Sequence, residues 1–166
     1  MKFSAKIIAR SGVVAALYIA LCFIFKPISF GIVQFRISEA LCVLPIFMPE
    51  AAWGLLIGCV VSNLLGGASV VLLDVILGSL TTFVAALLTR KVYKDTKNMF
   101  LAFLPPVLLN ALIVGSYVPF LYSDPKEAPF LVITSILSVL LGQAVVIYLL
   151  GFPFAKAIEK TKIFKS

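Results

Sequence analysis

The chain is organised around one stretch, Gln34-Phe35-Arg36-Ile37-Ser38-Glu39-Ala40-Leu41-Cys42-Val43-Leu44-Pro45. In a chain that is 62% hydrophobic, this stretch places Arg36 and Glu39 at the start of an apolar segment. The pattern predicts a short helix in which Ser38 caps the N-terminus and Glu39 lies in the first turn, where the helix dipole favours an anion. We expect Pro45 to end or bend this helix after about two turns. A short, broken and charged helix is typical of a segment that lines a cavity rather than facing lipid.

The composition excludes a water-soluble domain. The 166 residues have a mean hydropathy of +1.15, and only 13% of them are charged. At about 20 residues per spanning helix, the length predicts an all-α integral membrane protein, a bundle of six transmembrane helices in a single domain, residues 1–166. The net charge of +7 does not indicate nucleic acid, because the basic residues lie at the ends of the apolar segments.

The motifs of catalysis and cofactor binding are missing from the sequence. The chain has no histidine and no Gly-x-x-x-x-Gly-Lys-Ser/Thr loop. We therefore expect that it is not an enzyme, that it does not itself hydrolyse ATP, and that it needs no cofactor and no metal. The cysteines lie in apolar segments without metal-ligand spacing and are interpreted as reduced packing residues: Cys22, Cys42 and Cys59.

Six apolar segments can be drawn, and the basic residues predict their orientation. With six crossings, only Lys26, Arg36 and Lys126 of the 14 lysines and arginines fall on one side of the membrane. The positive-inside rule then predicts a multi-pass protein of the cell membrane with both termini in the cytoplasm. The second and third segments are short for a bilayer of about 30 Å and are expected to be tilted or partial spans. The segments cover roughly residues 8–25, 38–48, 51–65, 70–89, 99–121 and 130–154.

Polar side chains at membrane depth are the candidate ligand contacts. Asp74 lies about five residues, or about 7 Å, into the fourth segment, where a lone carboxylate should face the bundle interior and find a partner. Gly78 and Thr82 follow on the same helical face. Their depth predicts a polar cavity that is open to the outside and closed to the inside. The other candidates in this half of the bundle are Glu39, Asn63, Asn110 and Tyr117, with Gln143 deeper.

The candidates also have structural interpretations. Asn63 and Gln143 can be explained as interhelical hydrogen bonds. Glu39 can be explained as a group that only complements a helix dipole and pairs with the nearby arginine. Glu50, next to Pro49 on the cytoplasmic side, is expected to be a solvated turn residue.

Short runs spaced along the chain carry a family resemblance. These runs are Phe35-Arg36-Ile37-Ser38-Glu39-Ala40-Leu41, Gly54-Leu55-Leu56-Ile57-Gly58-Cys59, Asn63-Leu64-Leu65-Gly66-Gly67, Leu73-Asp74 with Gly78-Ser79, and Pro105-Pro106 with Asn110-Ala111-Leu112. In order and spacing, the chain resembles the queuosine-precursor transporter (QueT-like) family over nearly its whole length. The resemblance implies a substrate-binding (S) component of an energy-coupling-factor (ECF) transporter, which works with a transmembrane coupling subunit and two ATPase subunits.

The resemblance also implies a ligand, a 7-deazaguanine such as the aminomethyl compound preQ1. A guanine-like edge donates two neighbouring N–H groups, which one carboxylate can accept together, and a protonated aminomethyl arm would want a second carboxylate. Asp74 and Glu39 are the two candidates, and the sequence does not assign which carboxylate contacts which group. Phe35 and Tyr117 are candidates to cover the flat ring, and Arg36 completes the predicted contact set.

A stripe of small residues on the first segment is the predicted partner surface. Gly12, Ala16 and Ala20 recur every four residues, a spacing that lets helices approach closely. The stripe resembles the Ala-xxx-Ala surface that S components use to dock on their coupling subunit.

Three other functions remain open from the sequence. One is an S component for another vitamin, such as a pyridoxine or thiamine precursor. A second is an autonomous secondary carrier coupled to protons through Asp74. A third is a scaffold without a ligand.

Overall fold

The regular structure of the chain is helical wherever it is described. The computed structural model describes residues 4–30, 35–66 and 71–161. A helical turn, Val71–Leu73, leads directly into α4. The elements are α1 (Ala5–Ile24), α2 (Lys26–Ser29), a 3₁₀ helix (Ile37–Ile46), α3 (Ala51–Gly66), α4 (Asp74–Thr96), α5 (Met99–Tyr122) and α6 (Ala128–Thr161).

Four of these helices, α1, α4, α5 and α6, are long and apolar enough to cross a membrane. The 3₁₀ helix and α3 are apolar but shorter. Over the described residues, each of the six predicted apolar segments is largely helical. Six crossings of the bilayer, with both termini on one side, stay a prediction.

The outer surface of the bundle is apolar, and polar side chains lie inside. Phe130 is 85% exposed, and Ile133 and Leu72 are each more than 70% exposed. Large exposed apolar surfaces of this kind are costly in water, and lipid removes that cost. The interior combines apolar groups such as Leu55 and Phe103 with a polar cluster near the ends of α1 and α3.

The 3₁₀ helix lies at the centre of the bundle, where it contacts α1, α3, α4 and α6. Its residues 38–45 are all buried. At about 2.0 Å per residue instead of 1.5 Å, a ten-residue 3₁₀ helix is about 20 Å long instead of about 15 Å. Arg90 of α4 donates to the carbonyl oxygen of Pro45 at 3.1 Å, near the end of this helix.

The predicted cap of this helix is wrong. The helix begins at Ile37, with Arg36 in the cap position and no side-chain cap bond. Ser38 lies inside the first turn, fully buried, and its hydroxyl contacts the thiol of Cys22 at 3.0 Å. Because burial removes water from the hydroxyl, a partner on α1 replaces the expected backbone bond.

The helices α1 and α3 approach closely because of two glycines. A Cβ atom at Gly54 would lie 2.5 Å from the carbonyl oxygen of Ser11, and one at Gly58 would lie 2.8 Å from the Cβ of Tyr18. The small residues of α3 thus face α1.

Three π-helical turns interrupt the long helices. They cover Asp74–Gly78 in α4, Asn110–Val114 in α5 and Val146–Gly151 in α6. Two of them begin at a polar candidate residue, Asp74 or Asn110. Such turns are frequent at functional sites, since they re-aim side chains within a helix.

Glu50 is buried, so the prediction of a solvated turn residue is wrong. Its carboxylate accepts from Arg10 of α1 at 2.9 Å, and its carbonyl oxygen accepts from Ser11 at 2.9 Å. Burial alone would raise the pKa of Glu50, but the hydrogen bond from Arg10 and a backbone hydrogen bond lower it overall. The pair fastens the start of α1 to the start of α3, because a glutamate with a cation in reach need not remain in water.

Candidate functional site

A buried polar cluster lies where α1 and α3 end and α4 begins. It is built around two carboxylates, Asp74 and Glu39, which are 6% and 1% exposed. The structure brings six predicted residues into it: Arg36, Glu39, Asn63, Asp74, Asn110 and Tyr117. Their proposed role as ligand contacts stays a prediction.

Asp74 is held by groups from three other elements. Tyr117 of α5 donates its hydroxyl to Oδ1 at 2.5 Å, and the guanidinium of Arg36 lies 3.4 Å from Oδ2. Asn63 of α3 donates to the backbone carbonyl of Asp74 at 2.9 Å. The prediction that this carboxylate faces the interior with a partner is confirmed.

Because Gly78 has no side chain, Asp74, Tyr117 and Asn63 can approach one another beside it. A Cβ atom at this position would lie 2.7 Å from Oδ1 of Asp74, 2.9 Å from the hydroxyl of Tyr117 and 3.4 Å from the amide nitrogen of Asn63. Real Cβ atoms essentially never approach other atoms within 3.0 Å. A larger residue would therefore displace the carboxylate, the phenol or both.

Glu39 is the centre of a second set of contacts. Its Oε1 accepts from Tyr18 at 2.5 Å and from Thr82 at 3.3 Å. Its Oε2 accepts from the thiol of Cys42 at 3.0 Å and from the amide of Asn110 at 3.5 Å. Side chains three residues apart eclipse each other in a 3₁₀ helix, which is why Cys42 reaches Glu39.

The two carboxylates differ in their electrostatic partners. Arg36 pairs with Asp74 and not with Glu39, so the alternative interpretation of Glu39 as a group that only pairs with this arginine does not hold. In the described part of the chain, no basic side chain lies within 4.0 Å of Glu39. Among the described residues, one cation therefore faces two carboxylates in this buried space.

Two polar atoms of the cluster are buried without a hydrogen-bond partner among the described residues. They are Nε of Arg36, a donor, and Oδ1 of Asn63, an acceptor. Buried polar groups are normally satisfied, so each marks a place where a ligand or water is expected. The guanidinium carbon of Arg36 also lies over the ring of Phe30, 5.4 Å from the ring centroid.

Comparison with known proteins identifies the family of the chain. The family model described as QueT transporter matches residues 8–160. The chain belongs to the QueT transporter family. The family resemblance read from the sequence is confirmed, and the apolar helices agree with a transport protein in a membrane. Neither a curated protein nor a solved structure matches the chain.

Two predicted contact residues of this QueT transporter lie apart from the cluster's hydrogen bonds. Phe35 is half-buried, and its backbone N–H donates to Ile28 at 2.8 Å. Gln143 of α6 is buried, and its Oε1 has no partner in the described residues. No hydrogen bond in the described ranges joins either side chain to the two carboxylates.

The predicted docking stripe lies on the outer face of α1. Gly12, Ala16 and Ala20 are all exposed, and a Cβ atom at Gly12 would meet nothing within 4 Å. Internal packing of α1 uses the other face, which includes Val14 and Tyr18. Docking itself stays a prediction.

Part of the site was not predicted from the sequence. Tyr18, fully buried, was one apolar residue among many in α1, although a buried phenol normally needs a partner. The cysteines, all free and buried as predicted, also contact polar groups: Cys42 donates to Glu39, and Cys59 lies 3.8 Å from Arg36. The described residues contain no group of three side chains suited to hold a metal ion.

Proposed function

We propose that this QueT transporter is the substrate-binding component of an ECF transporter and captures a queuosine precursor, a 7-deazaguanine such as preQ1, from outside the cell. The observation that carries the proposal is the buried cluster in which two carboxylates face one arginine. Such a cluster is costly inside a membrane protein, and residues of this kind there mark substrate sites.

The chemistry of the ligand supports this proposal. A 7-deazaguanine presents neighbouring N–H donors on one edge, and the aminomethyl form adds a cation. The cluster offers carboxylate oxygens on Asp74 and an unpartnered amide oxygen on Asn63. Tyr117, beside Asp74, has a ring that could cover one face of the base.

We further propose a topology of six membrane crossings with both termini in the cytoplasm of a prokaryotic cell. The polar cluster would then open towards the outside. The extended 3₁₀ helix supports this arrangement, because it makes ten residues reach about 20 Å, closer to the thickness of a bilayer.

ATP-driven transport would need partners, since the sequence has no ATP-binding loop. A transmembrane coupling subunit and two ATPases would supply the energy, and substrate release would follow reorientation of the bundle. The exposure of Gly12, Ala16 and Ala20 supports a helix-docking surface on α1.

The test is to purify the protein in detergent and identify by mass spectrometry what co-purifies with it. We expect a 7-deazaguanine, bound with an affinity that calorimetry can measure. Co-purification of a pyridoxine or thiamine precursor instead would assign a different vitamin. A protein with no ligand-dependent rise in melting temperature would contradict ligand capture altogether.

A second arm tests the ATP-driven mode. Uptake of preQ1 should stop in cells that lack the ATPase subunits. Uptake that persists there would favour an autonomous carrier coupled to protons through Asp74.

A further inference from the structure

We propose that the two carboxylates have different tasks: Asp74 contacts the ligand, whereas Glu39 selects a cationic ligand by its charge without touching it. The inference rests on the proposed function, because it concerns the same site. It is carried by the hydrogen bonds that each carboxylate already makes and by the position of the one arginine.

Glu39 has no acceptor capacity left for a ligand. A carboxylate offers about four lone-pair positions. Glu39 uses them on Tyr18, Thr82, Cys42 and Asn110, all from within the protein. A ligand N–H would have to displace one of these donors and leave it buried without a partner, which is costly.

Asp74 has room for a ligand. It accepts from Tyr117 on one oxygen and from Arg36 on the other, which leaves about two of its positions open. Asn63 donates to the backbone of Asp74, so its unpartnered Oδ1 belongs to the same region of the cluster. An edge with two or three neighbouring N–H groups therefore fits these acceptors.

The nearby positive charge is on the side of Asp74 and not of Glu39. Arg36 balances Asp74, but no cation in the described residues stands within 4.0 Å of Glu39. With Glu39 ionised, the site and its ion pair therefore carry one uncompensated negative charge. A ligand with one positive charge neutralises it from a distance, whereas a neutral ligand leaves it buried and unpaired.

The experiment compares two ligands that share the ring edge and differ in charge. These are 7-aminomethyl-7-deazaguanine, a cation, and 7-cyano-7-deazaguanine, which is neutral. Both affinities are measured by calorimetry on each purified variant. Their ratio is an internal control, because a fall in the folded fraction lowers the apparent number of sites for both ligands alike.

Glu39→Gln removes the charge and keeps the ion pair. We expect it to weaken the cationic ligand about fiftyfold, the effect of one charge at about 7 Å in an effective dielectric of about 20. The neutral ligand should change by less than about threefold, since its contacts are on Asp74.

The matched control is the double variant Arg36→Gln with Asp74→Asn, which removes the contact and keeps the net charge of the site. We expect it to weaken both ligands, about a hundredfold each, and to retain the preference for the cation. Asp74→Asn alone is less informative here, because it would leave Arg36 buried and unpaired.

Three results would overturn the assignment while leaving the proposed function intact. They are equal wild-type affinity for the two ligands, equal weakening of both by Glu39→Gln, and loss of the preference in the double variant. If the wild-type protein bound neither compound, the proposed function itself would fail.

Discussion

The two ion pairs among the described residues lie at opposite ends of the bundle and differ in distance and in burial. Arg10 and Glu50 are 2.9 Å apart, and the arginine side chain is 33% exposed. Arg36 and Asp74 are 3.4 Å apart, and both side chains are less than a tenth exposed. The first pair is partly exposed through its arginine, whereas the second shares its buried space with another carboxylate.

The difference shows which pair is complete. The Arg10–Glu50 pair joins α1 to the start of α3, and a hydrogen bond from the hydroxyl of Ser11 to the backbone carbonyl of Glu50 reinforces it. In the described part of the chain, the Arg36–Asp74 pair leaves Nε of Arg36 without a hydrogen-bond partner and acceptor positions of Asp74 open. A complete pair holds helices together, and an incomplete, buried pair is suited to receive a ligand.

The largest expected effect separates capture from coupling. Ala16→Trp should abolish uptake in cells that contain the partner subunits, because a bulky side chain on the exposed face of α1 keeps a docking helix away. Ligand affinity of the isolated protein should stay within about threefold, since the cluster faces the other way. Uptake and calorimetry measure the two effects.

Ile133→Trp is the matched control, because Ile133 is 73% exposed on α6 and lies outside the stripe. It should leave uptake unchanged. If Ala16→Trp lowered affinity together with uptake, the stripe would belong to the bundle interior. Normal uptake in that variant would mean that this face touches only lipid.

Asp74→Asn should weaken ligand binding about a hundredfold, or about 3 kcal/mol. The amide keeps the size of the side chain, but it brings a donor to where the ligand also donates, and it leaves Arg36 without its anion. Titration calorimetry on folded protein measures the change. Near-native affinity would remove Asp74 from the contact set.

Gly78→Ala should weaken binding about tenfold, because the new methyl group would lie within 3.0 Å of Asp74 and Tyr117 and force them apart. Ile76→Ala, on the exposed side of the same π turn, should not change affinity. The prediction is contradicted if both variants bind alike.

Glu50→Gln has the smallest expected effect and acts on stability alone. At about pH 7 it should lower the free energy of unfolding by about 1–2 kcal/mol, since one charge-assisted bond to Arg10 is lost. The pKa of Glu50 is lowered in the folded state, so the stabilising contribution is present above the unfolded pKa and is lost as the pH falls through the folded pKa.

Thermal melting of wild type and Glu50→Gln, from about pH 7 down through the folded pKa of Glu50, measures this loss of stability. The difference between them should vanish in acid. The control is Glu127→Gln in an exposed turn, which should match wild type throughout. Loss of ligand affinity in Glu50→Gln would show that the two ends of the bundle are not independent.

Much of the helical layout could be predicted, because apolar runs of spanning length form helices in a membrane and polar side chains within them must face the interior. Asp74 could be assigned to the interior since a carboxylate at that depth needs a partner, and Asn110 and Tyr117 could be paired by helical spacing. The ionic partner of Asp74 could not be predicted from the sequence. Arg36 is closer to Glu39 along the chain, and only the fold turns it towards Asp74.

The backbone hydrogen-bond pattern of the helix Ile37–Ile46, 3₁₀ rather than α, could not be predicted from the sequence either. Apart from Ser38 and Glu39, the residues of the 3₁₀ helix are apolar on every side, so no periodicity distinguishes it from an α-helix. Ser38 was therefore assigned to a cap that does not form. Glu50 was misjudged for a related reason, because a lone glutamate beside a proline gives no sign that Arg10 lies within reach.

The π turn that begins at Asp74 has an evolutionary consequence. Bonds from residue i to i+5 enclose one residue more than the bonds of an α-helix. Loss of a single residue between Asp74 and Gly78 could thus be absorbed by reversion to an ordinary α turn, while the helix beyond Ser79 keeps its orientation. A deletion of one residue at this place would thus change the inward aim of the Asp74 carboxylate without rebuilding the rest of the bundle.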